Sequence, residues 1–270
     1  MNFERPNVNM ESNKFEENST TPDFLQEQVR LPKDQWNEKF LKLVEEKIRE
    51  NQKENNENLK ELPEILQEST VRRYLEGLGL SEEKLKDKKV LDLGTGDGDF
   101  IKYLIEKDIT QEAYGIDVAW NENSVEDKLK PHFFRGNFEE DLPIKNADYI
   151  ISVGAVSNGI WAGEERMDIR RIIEKSLNAL KKDGEILIYP IQEAAKATPL
   201  EGLQASQQKW DALLKEISNI HKVECKIEPR DIKVSGKNND IILESVLIIK
   251  RKPELSQEKI AHSERRNGKI

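Results

Sequence analysis

The chain has 270 residues, with 43 basic and 52 acidic side chains and a formal net charge of −9. This acidic balance argues against a protein that coats nucleic acid or an anionic membrane non-specifically. The single cysteine, Cys225, excludes an intramolecular disulfide framework and a cysteine-based zinc cluster. With no apolar run of about 20 residues and no secretory-type segment at the start, we expect a cytoplasmic protein without a membrane span.

Four regions follow one another along the sequence. Residues 1–22 are polar and aperiodic, which predicts a disordered leader. Residues 23–87 carry apolar side chains at helical spacing, which predicts an N-terminal helical extension. Residues 88–252 alternate predicted strands and helices and form the expected main domain. Residues 253–270 are predicted to be a basic, flexible tail.

The alternation of strands and helices in the main domain predicts an α/β fold, with a mostly parallel sheet and helices on both faces. Short apolar runs such as KKVLDLG and ADYIISVGAV are typical of buried parallel strands. The last two predicted strands are joined by a short turn, so at least one of them must be antiparallel. Before the strand EILIYPI, the sequence predicts a helix over 165–184 that ends at Gly184.

The segment most informative about function is DLGTGDG, from Asp92 to Gly98, directly after the first predicted strand. In an open α/β sheet, ligands bind beyond the carboxyl ends of the strands. A dinucleotide-binding G-x-G-x-x-G motif would need glycine where this sequence has Asp99, and the Gly-Lys-Ser/Thr of a P-loop is missing. Asp97 and Asp99 disfavour a pyrophosphate by charge repulsion. They suit a nucleoside cofactor with a cationic group and no phosphates.

Two further carboxylates are placed to hold such a cofactor. Asp92 precedes the first glycine of the loop by two residues, where it can meet an ammonium group. Asp117 ends the second predicted strand, and a carboxylate there can accept hydrogen bonds from both hydroxyls of a ribose. Because NAD-binding folds use the same device, Asp117 indicates a nucleoside without identifying it.

In their order along the chain, these segments resemble the class I S-adenosylmethionine-dependent methyltransferases. VLDLGTGDG at 90–98 is similar to the family's first motif, D/E-x-G-x-G-x-G, and GNFEEDLPI at 136–144 to its G-D-A-x-x-L-P segment. The resemblance implies a Rossmann-like, seven-stranded sheet with an antiparallel last strand, and S-adenosyl-L-methionine as the cofactor. The cofactor-binding residues that it implies are Asp92, Gly94, Thr95, Gly96, Asp97, Asp117, Val118, Asn137, Phe138, Val153 and Gly154.

The resemblance also implies roles around the adenine. Val118 matches the apolar residue that packs on the ring, and Asn137 stands where the family has an aspartate that accepts a hydrogen bond from the adenine amino group. Phe138 replaces an alanine of the motif. Phe138 and Trp120 can each flank the adenine or belong to the core.

The function predicted from the sequence is a methyltransferase that moves a methyl group from S-adenosyl-L-methionine to an O or N atom, with a small molecule as the expected acceptor. A protein substrate stays open, and the acidic composition disfavours nucleic acid. In-line methyl transfer can depend largely on positioning, and the sequence predicts no catalytic residue and no metal ligand. Trp161 follows the fourth strand, where acceptors usually lie in this architecture. The alternative hypothesis is a non-catalytic module that binds the cofactor or docks a partner.

Overall fold

The computed structural model of the chain describes residues 21–56, 63–122, 125–197, 200–236 and 238–252. Nearly all of the predicted leader, and all of the predicted tail, lie outside these segments. The N-terminal part contains α1 (Pro22–Arg30), α2 (Glu38–Asn56), α3 (Pro63–Leu78) and the short α4 (Glu82–Leu85). The Thr21 side chain accepts a hydrogen bond from the Phe24 N–H and caps α1, so the helical periodicity of this region is confirmed as helix.

In chain order, the strands of the described segments are β1 (Val90–Leu93), β2 (Ala113–Asp117), β3 (Phe133–Arg135), β4 (Ala147–Val153), β5 (Ile160–Trp161), β6 (Glu164–Glu165), β7 (Leu180–Ala194), β8 (Val223–Ser235) and β9 (Asp240–Arg251). Seven of them form one sheet in the order β3-β2-β1-β4-β7-β9-β8, and β5 and β6 form a separate hairpin. β1 pairs in parallel with β2 and β4, and β4 pairs in parallel with β7, whereas β9 is antiparallel to both β7 and β8. The predicted mostly parallel sheet with an antiparallel last strand is therefore confirmed.

Helices cover both faces of this sheet. On one face, apolar residues of α3 and α4 pack with those of α5 (Asp99–Glu106) against β1, β4 and β7. On the other face, α6 (Ile169–Ala179) and α7 (Glu201–His221) bury their apolar stripes against the same strands. Burial of apolar area from both sides explains why the central strands read as nearly continuous apolar runs.

The predicted end of α6 at Gly184 is wrong. The helix ends at Ala179, and Leu180 already pairs with Ala147 on β4. A bulge follows, because the next pair in the ladder joins Tyr149 to Glu185. A Cβ atom on Gly184 would lie 2.8 Å from the carbonyl oxygen of Ala147. Glycine is therefore required by the close approach of two strands at a bulge and not by a helix cap.

Strand β7 continues beyond the carboxyl edge of its parallel neighbour. β4 ends at Val153, which pairs with Tyr189, but β7 runs on to Ala194. Residues 191–194 pair with the start of β9, which pairs with the end of β8. We call this three-stranded piece the sheet extension; it comprises residues 191–194, 231–235 and 240–245.

Helices α1 and α2 pack on one face of the sheet extension and build a third apolar cluster there. The Phe40 ring is fully buried and meets the Trp36 ring edge to face, with centroids 5.1 Å apart. Side chains that alternate along β8 and β9 supply the other half of the cluster. Its main members are Leu25, Val29, Trp36, Phe40, Val44, Ile232, Val234, Ile241 and Leu243.

We predict that Phe40→Ala lowers the free energy of unfolding by about 3–5 kcal/mol, because it leaves a cavity between α2 and the sheet extension. The measurement is urea unfolding followed by circular dichroism. The matched control is Lys42→Ala on the same helix; this side chain is 70% exposed, and within the described segments its ion pair is with Glu38 one turn away. The control is expected to cost at most about 0.5 kcal/mol. A loss below 1 kcal/mol for the phenylalanine variant would contradict the packing.

Candidate cofactor site

The predicted cofactor residues meet at the carboxyl edge of the sheet, where β1, β2 and β4 end side by side. Leu93 pairs with Ile116, and the Gly94 N–H donates to the Ile116 carbonyl oxygen at 2.8 Å, so the glycine loop leaves β1 next to the end of β2. The Ser152 hydroxyl donates to the Leu93 carbonyl oxygen at 2.8 Å and ties β4 to the same point. This geometry places the three loops around one edge.

The glycine loop is built around three left-handed residues, Gly94, Gly96 and Gly98, with φ values of 80°, 55° and 76°. A Cβ atom on Gly94 would lie 2.2 Å from the Ala155 Cβ, and one on Gly98 would lie 2.5 Å from the Phe133 ring. Gly96 differs, because nothing lies within 4 Å of its Cβ position. The middle of the loop therefore presents bare backbone to open space, as close approach to a ligand requires.

Asp117 joins the end of β2 to this loop. Its Oδ2 accepts a hydrogen bond from the Gly96 N–H at 3.1 Å, and its Oδ1 accepts one from the Ala119 N–H at 2.8 Å. A carboxylate has about four acceptor positions, so both oxygens of this half-buried group can accept further hydrogen bonds. The side chain of the next residue, Val118, is 57% exposed and lies beside it on the same edge.

Asp92 lies behind the loop and is fully buried. The Tyr74 hydroxyl donates to its Oδ2 at 2.9 Å, whereas no described residue donates to Oδ1. The nearby Thr95 hydroxyl is also buried without a partner among the described residues. Burial raises the pKa of Asp92 to about 7 from an ordinary value of 3.8, although the nearby Tyr74 and Thr95 hydroxyls oppose this shift.

The residues expected around the adenine occupy different environments. Asn137 is exposed, and its Oδ1 accepts a hydrogen bond from the Glu139 N–H at 2.9 Å. Phe138 is buried in the core beside the Gly94 position. Trp120 is buried and stacks on Phe133 with ring centroids 4.2 Å apart. Both aromatic rings are therefore buried in the apolar clusters, and Phe138 lies beside the glycine loop.

The end of β4 completes the edge. Val153 is half-buried in the ladder, and Gly154 follows it with φ 78° and donates from its N–H to the Tyr189 carbonyl oxygen at 2.8 Å. Asp97 is exposed at the tip of the glycine loop, whereas Asp99 pairs with Lys102 at 3.2 Å. The structure therefore brings the predicted residues of all three loops to one side of the sheet.

Two residues of α3 that the sequence did not indicate as functional also reach this edge. Tyr74 was expected only as a member of an apolar stripe, yet its hydroxyl holds the buried Asp92. An Arg73 guanidinium nitrogen lies 3.9 Å from the Cβ position of Gly154, and this side chain makes no ion pair with any described residue. In the sequence, the sign of such a role was a tyrosine, which carries a polar hydroxyl, among the aliphatic residues of the α3 stripe.

A cleft opens beyond this edge, between the β5–β6 hairpin, the first turn of α7 and the sheet extension. Its volume is about 380 Å³. Trp161, at the tip of the hairpin, is 51% exposed. The Arg166 guanidinium lies 5.5 Å from its ring centroid. Both aliphatic and polar side chains line the cleft, among them Trp161, Gln192, Leu200, Leu203, Lys233 and Ile242.

No protein-family model matches the sequence, and no curated protein does. Solved structures do show similarity. The plantazolicin methyltransferase BpumL is 14% identical with a TM-score of 0.44, over 75% of this chain and 90% of that one. An Aquifex aeolicus SAM-dependent methyltransferase is 18% identical with a TM-score of 0.37, over 66% and 97%. The O-methyltransferase NcsB1 is 13% identical with a TM-score of 0.43, and the match spans 68% of this chain and 56% of that one.

The strand order decides the fold: seven strands run β3-β2-β1-β4-β7-β9-β8, and β9 is antiparallel to both of its neighbours. This is the fold of the class I S-adenosylmethionine-dependent methyltransferases. In the segments that the structure describes, every helix is too short or too polar to span a bilayer, and no three His, Cys, Asp or Glu side chains are grouped to hold a metal ion.

We predict that Asp92→Asn stabilises the protein at pH 8. The raised pKa means that folding takes up a proton between pH 4 and pH 7, so the stability of the wild type falls as the pH rises through that window. A shift of three pKa units corresponds to about 4 kcal/mol, which is the largest gain expected for the neutral asparagine at pH 8. The gain should shrink toward zero at pH 4.

The measurement is urea unfolding of both proteins at pH 4, 6 and 8. Asp97→Asn serves as the control, since this carboxylate is exposed in the same loop. It is expected to change stability by less than about 0.5 kcal/mol at every pH. A stability difference for the Asp92 variant that stays constant across the pH range would contradict the buried, proton-binding carboxyl.

Proposed function

We propose that this protein binds S-adenosyl-L-methionine at the carboxyl edge of the sheet and transfers its methyl group to a small molecule. The observation that carries the proposal is the pair of carboxylates on neighbouring strands, one on each side of the glycine loop. Asp92 is buried with an unpartnered oxygen, and Asp117 is hydrogen-bonded to the bare backbone at Gly96. A cofactor with a cationic group and a ribose but no phosphate suits both.

The cationic end of the cofactor fits the buried carboxyl. A buried carboxylate needs a counter-charge or hydrogen-bond donors, and Asp92 has one donor, Tyr74, at Oδ2. An ammonium group, directly or through a water molecule, supplies the missing donors to Oδ1 and to the buried Thr95 hydroxyl. Its charge also favours the ionised carboxylate, so cofactor binding should release the proton that Asp92 holds near neutral pH.

The nucleoside end fits the far side of the loop. Asp117 keeps free lone pairs on both oxygens, which suits the two hydroxyls of a ribose. Val118 exposes apolar surface next to it, where an adenine ring would cover the side chain. Asn137 has an exposed amide in the loop that follows β3, and we assign it to the adenine amino group.

The carboxylate of the cofactor needs a cation, and α3 supplies one. Arg73 lies over Gly154 at the end of β4, with no competing ion pair among the described residues. A guanidinium can bind a carboxylate through two parallel hydrogen bonds. With Tyr74 on Asp92 and Arg73 beside Gly154, α3 would close the amino-acid end of the site.

When bound, S-adenosyl-L-methionine would supply a methyl group on a sulfonium: an O or N nucleophile would bond to the methyl carbon in line, and the C–S bond would break with its electron pair going to the leaving thioether. The residues of this chain would act by binding, orientation and exclusion of water. The glycine loop and Asp117 fix the nucleoside, and Asp92 and Arg73 fix the amino-acid part. Tyr189 pairs with Val153 at the end of β4, where its buried side chain donates a hydrogen bond from its hydroxyl to Glu244 at 2.5 Å. This hydrogen bond fixes the part of β7 that borders the edge.

Titration calorimetry with S-adenosyl-L-methionine and S-adenosylhomocysteine tests the proposal. We predict that both bind, and that Asp117→Ala weakens binding at least tenfold, about 1.4 kcal/mol, because the ribose loses its acceptor and Gly96 loses its anchor. Asp127→Ala is the control, since this exposed carboxylate pairs with Lys130 away from the edge. NAD binding in place of either ligand would overturn the proposal. Binding without turnover on a wide acceptor panel would favour a non-catalytic module.

We also predict that cofactor affinity falls as the pH drops below 7, approaching tenfold per pH unit. Below its pKa of about 7 the Asp92 carboxyl is protonated, and binding an ammonium group must first expel that proton. Calorimetry at pH 5.5, 6.5 and 7.5 in buffers of different ionisation enthalpy measures both the affinity and the proton release. Asp92→Asn should bind weakly at every pH. An affinity that is flat between pH 5.5 and 7.5 would contradict the role of Asp92.

A further inference from the structure

We propose that the cleft beyond the cofactor edge binds the methyl acceptor, and that the acceptor is a small amphipathic molecule with an apolar body and one anionic group. The cleft lies between Trp161 of the hairpin, the first turn of α7 and the sheet extension. That the ligand is a methyl acceptor rests on the proposed function. Its chemical class follows from the side chains of the cleft.

The position of the cleft suits a second substrate. Tyr189 pairs with Val153 at the end of β4, where the cofactor site ends. Gln192 follows three residues later on β7, which places it roughly 10 Å farther along the strand direction. Trp161 follows Val153, the last residue of β4, by eight residues. The cleft therefore lies beyond the carboxyl edge of the sheet, in the direction in which β7 continues past β4.

Gln192 has a fixed orientation in the cleft wall. Its side-chain amide donates to the Glu244 Oε1 at 2.9 Å, and the other oxygen of Glu244 accepts from the Tyr189 hydroxyl. Because the Gln192 Nε2 donates to this buried carboxylate, the orientation of the amide is fixed, and its oxygen can accept a hydrogen bond from a ligand. A polar group of fixed direction in an otherwise apolar wall is a common means of orienting a ligand.

The apolar surface of the cleft calls for an apolar body. Leu200, Leu203 and Ile242 line it, and the half-exposed Trp161 ring forms one side. The other tryptophans, Trp36, Trp120 and Trp210, are buried in the core. The volume of about 380 Å³ falls within the range of small-molecule sites, roughly 300–1,000 Å³.

Lys233 determines the charge of the ligand. It is the charged residue of the cleft lining, and it pairs with no acidic group in the described part of the chain. Its neighbour Asp231, by contrast, is held by Lys47 at 2.7 Å. Lys233 stands directly across from Ile242 in the ladder, so its ammonium and the apolar wall face the same space. In a chain of net charge −9, an unpaired cation at an apolar cleft favours an anionic partner.

Ligand-observed NMR titration of the full chain, without cofactor, tests this inference. The probes are 3-phenylpropionate and its neutral counterpart 3-phenylpropanol, which share the apolar body and differ in charge. We expect the anion to bind at least fivefold more tightly at low ionic strength. Lys233→Ala should abolish that preference and Lys233→Arg should keep it. Lys226→Ala, which removes an exposed lysine paired with Glu228 on the same strand, is the matched control and should change nothing.

A second variant tests the apolar wall. Trp161→Ala should weaken both probes about fivefold while the preference for the anion remains. Equal affinities for the two probes, or a Lys233→Ala variant that behaves as the wild type, would overturn the inference. Because the titration contains no cofactor, its result is independent of cofactor binding. If S-adenosyl-L-methionine fails to bind while the charge preference persists, the proposed function falls and the anion-binding cleft stands.

Discussion

The cofactor edge depends on one buried carboxyl group. Asp92 lies fully buried in the first strand of the sheet, and the Tyr74 hydroxyl of α3 donates a hydrogen bond to it. Ionising such a group in the ligand-free protein costs about 4 kcal/mol relative to an exposed aspartate, as its pKa of about 7 indicates. In the proposed function, the cationic group of the cofactor offsets this cost when it binds. The left-handed glycines and Asp117 surround that point with backbone and acceptors.

The sequence was sufficient for a mostly parallel sheet with an antiparallel last strand, because the alternation of strands and helices and the short final turn leave few topologies. It was misleading at Gly184, where a glycine after a helical pattern marks a strand bulge against Ala147. A helix cap and a bulge both place glycine after apolar residues, and only the neighbouring strand distinguishes them. The sheet extension was also beyond prediction, because the length of β7 is set by pairing with β9 about 50 residues later.

Some residues of the candidate site could likewise be predicted from the sequence, and others could not. Asp92, Asp117 and the glycines follow predicted strands, so local pattern was enough to bring them to one edge. Arg73 and Tyr74 come from a helix whose spacing indicates an apolar face and carries no information about what that face covers. Their contacts with Gly154 and Asp92 arise from tertiary packing of α3 against α5 and β7. Lys233 and Trp161 likewise meet only because the sheet extension and the hairpin border one cleft.

The sheet extension has a different neighbour on each face. One face holds the apolar cluster of α1 and α2, and the other bears Gln192, Lys233 and Ile242 at the cleft. The sheet extension is a single layer of three strands, so an interaction that rigidifies one of its faces also rigidifies the other. A ligand in the cleft would therefore slow amide hydrogen exchange in helices that it does not touch. By reciprocity, a change that loosens the cluster of α1 and α2 would weaken binding of the ligand in the cleft. The N-terminal helices would thus contribute to acceptor affinity by stiffening the strands behind the cleft.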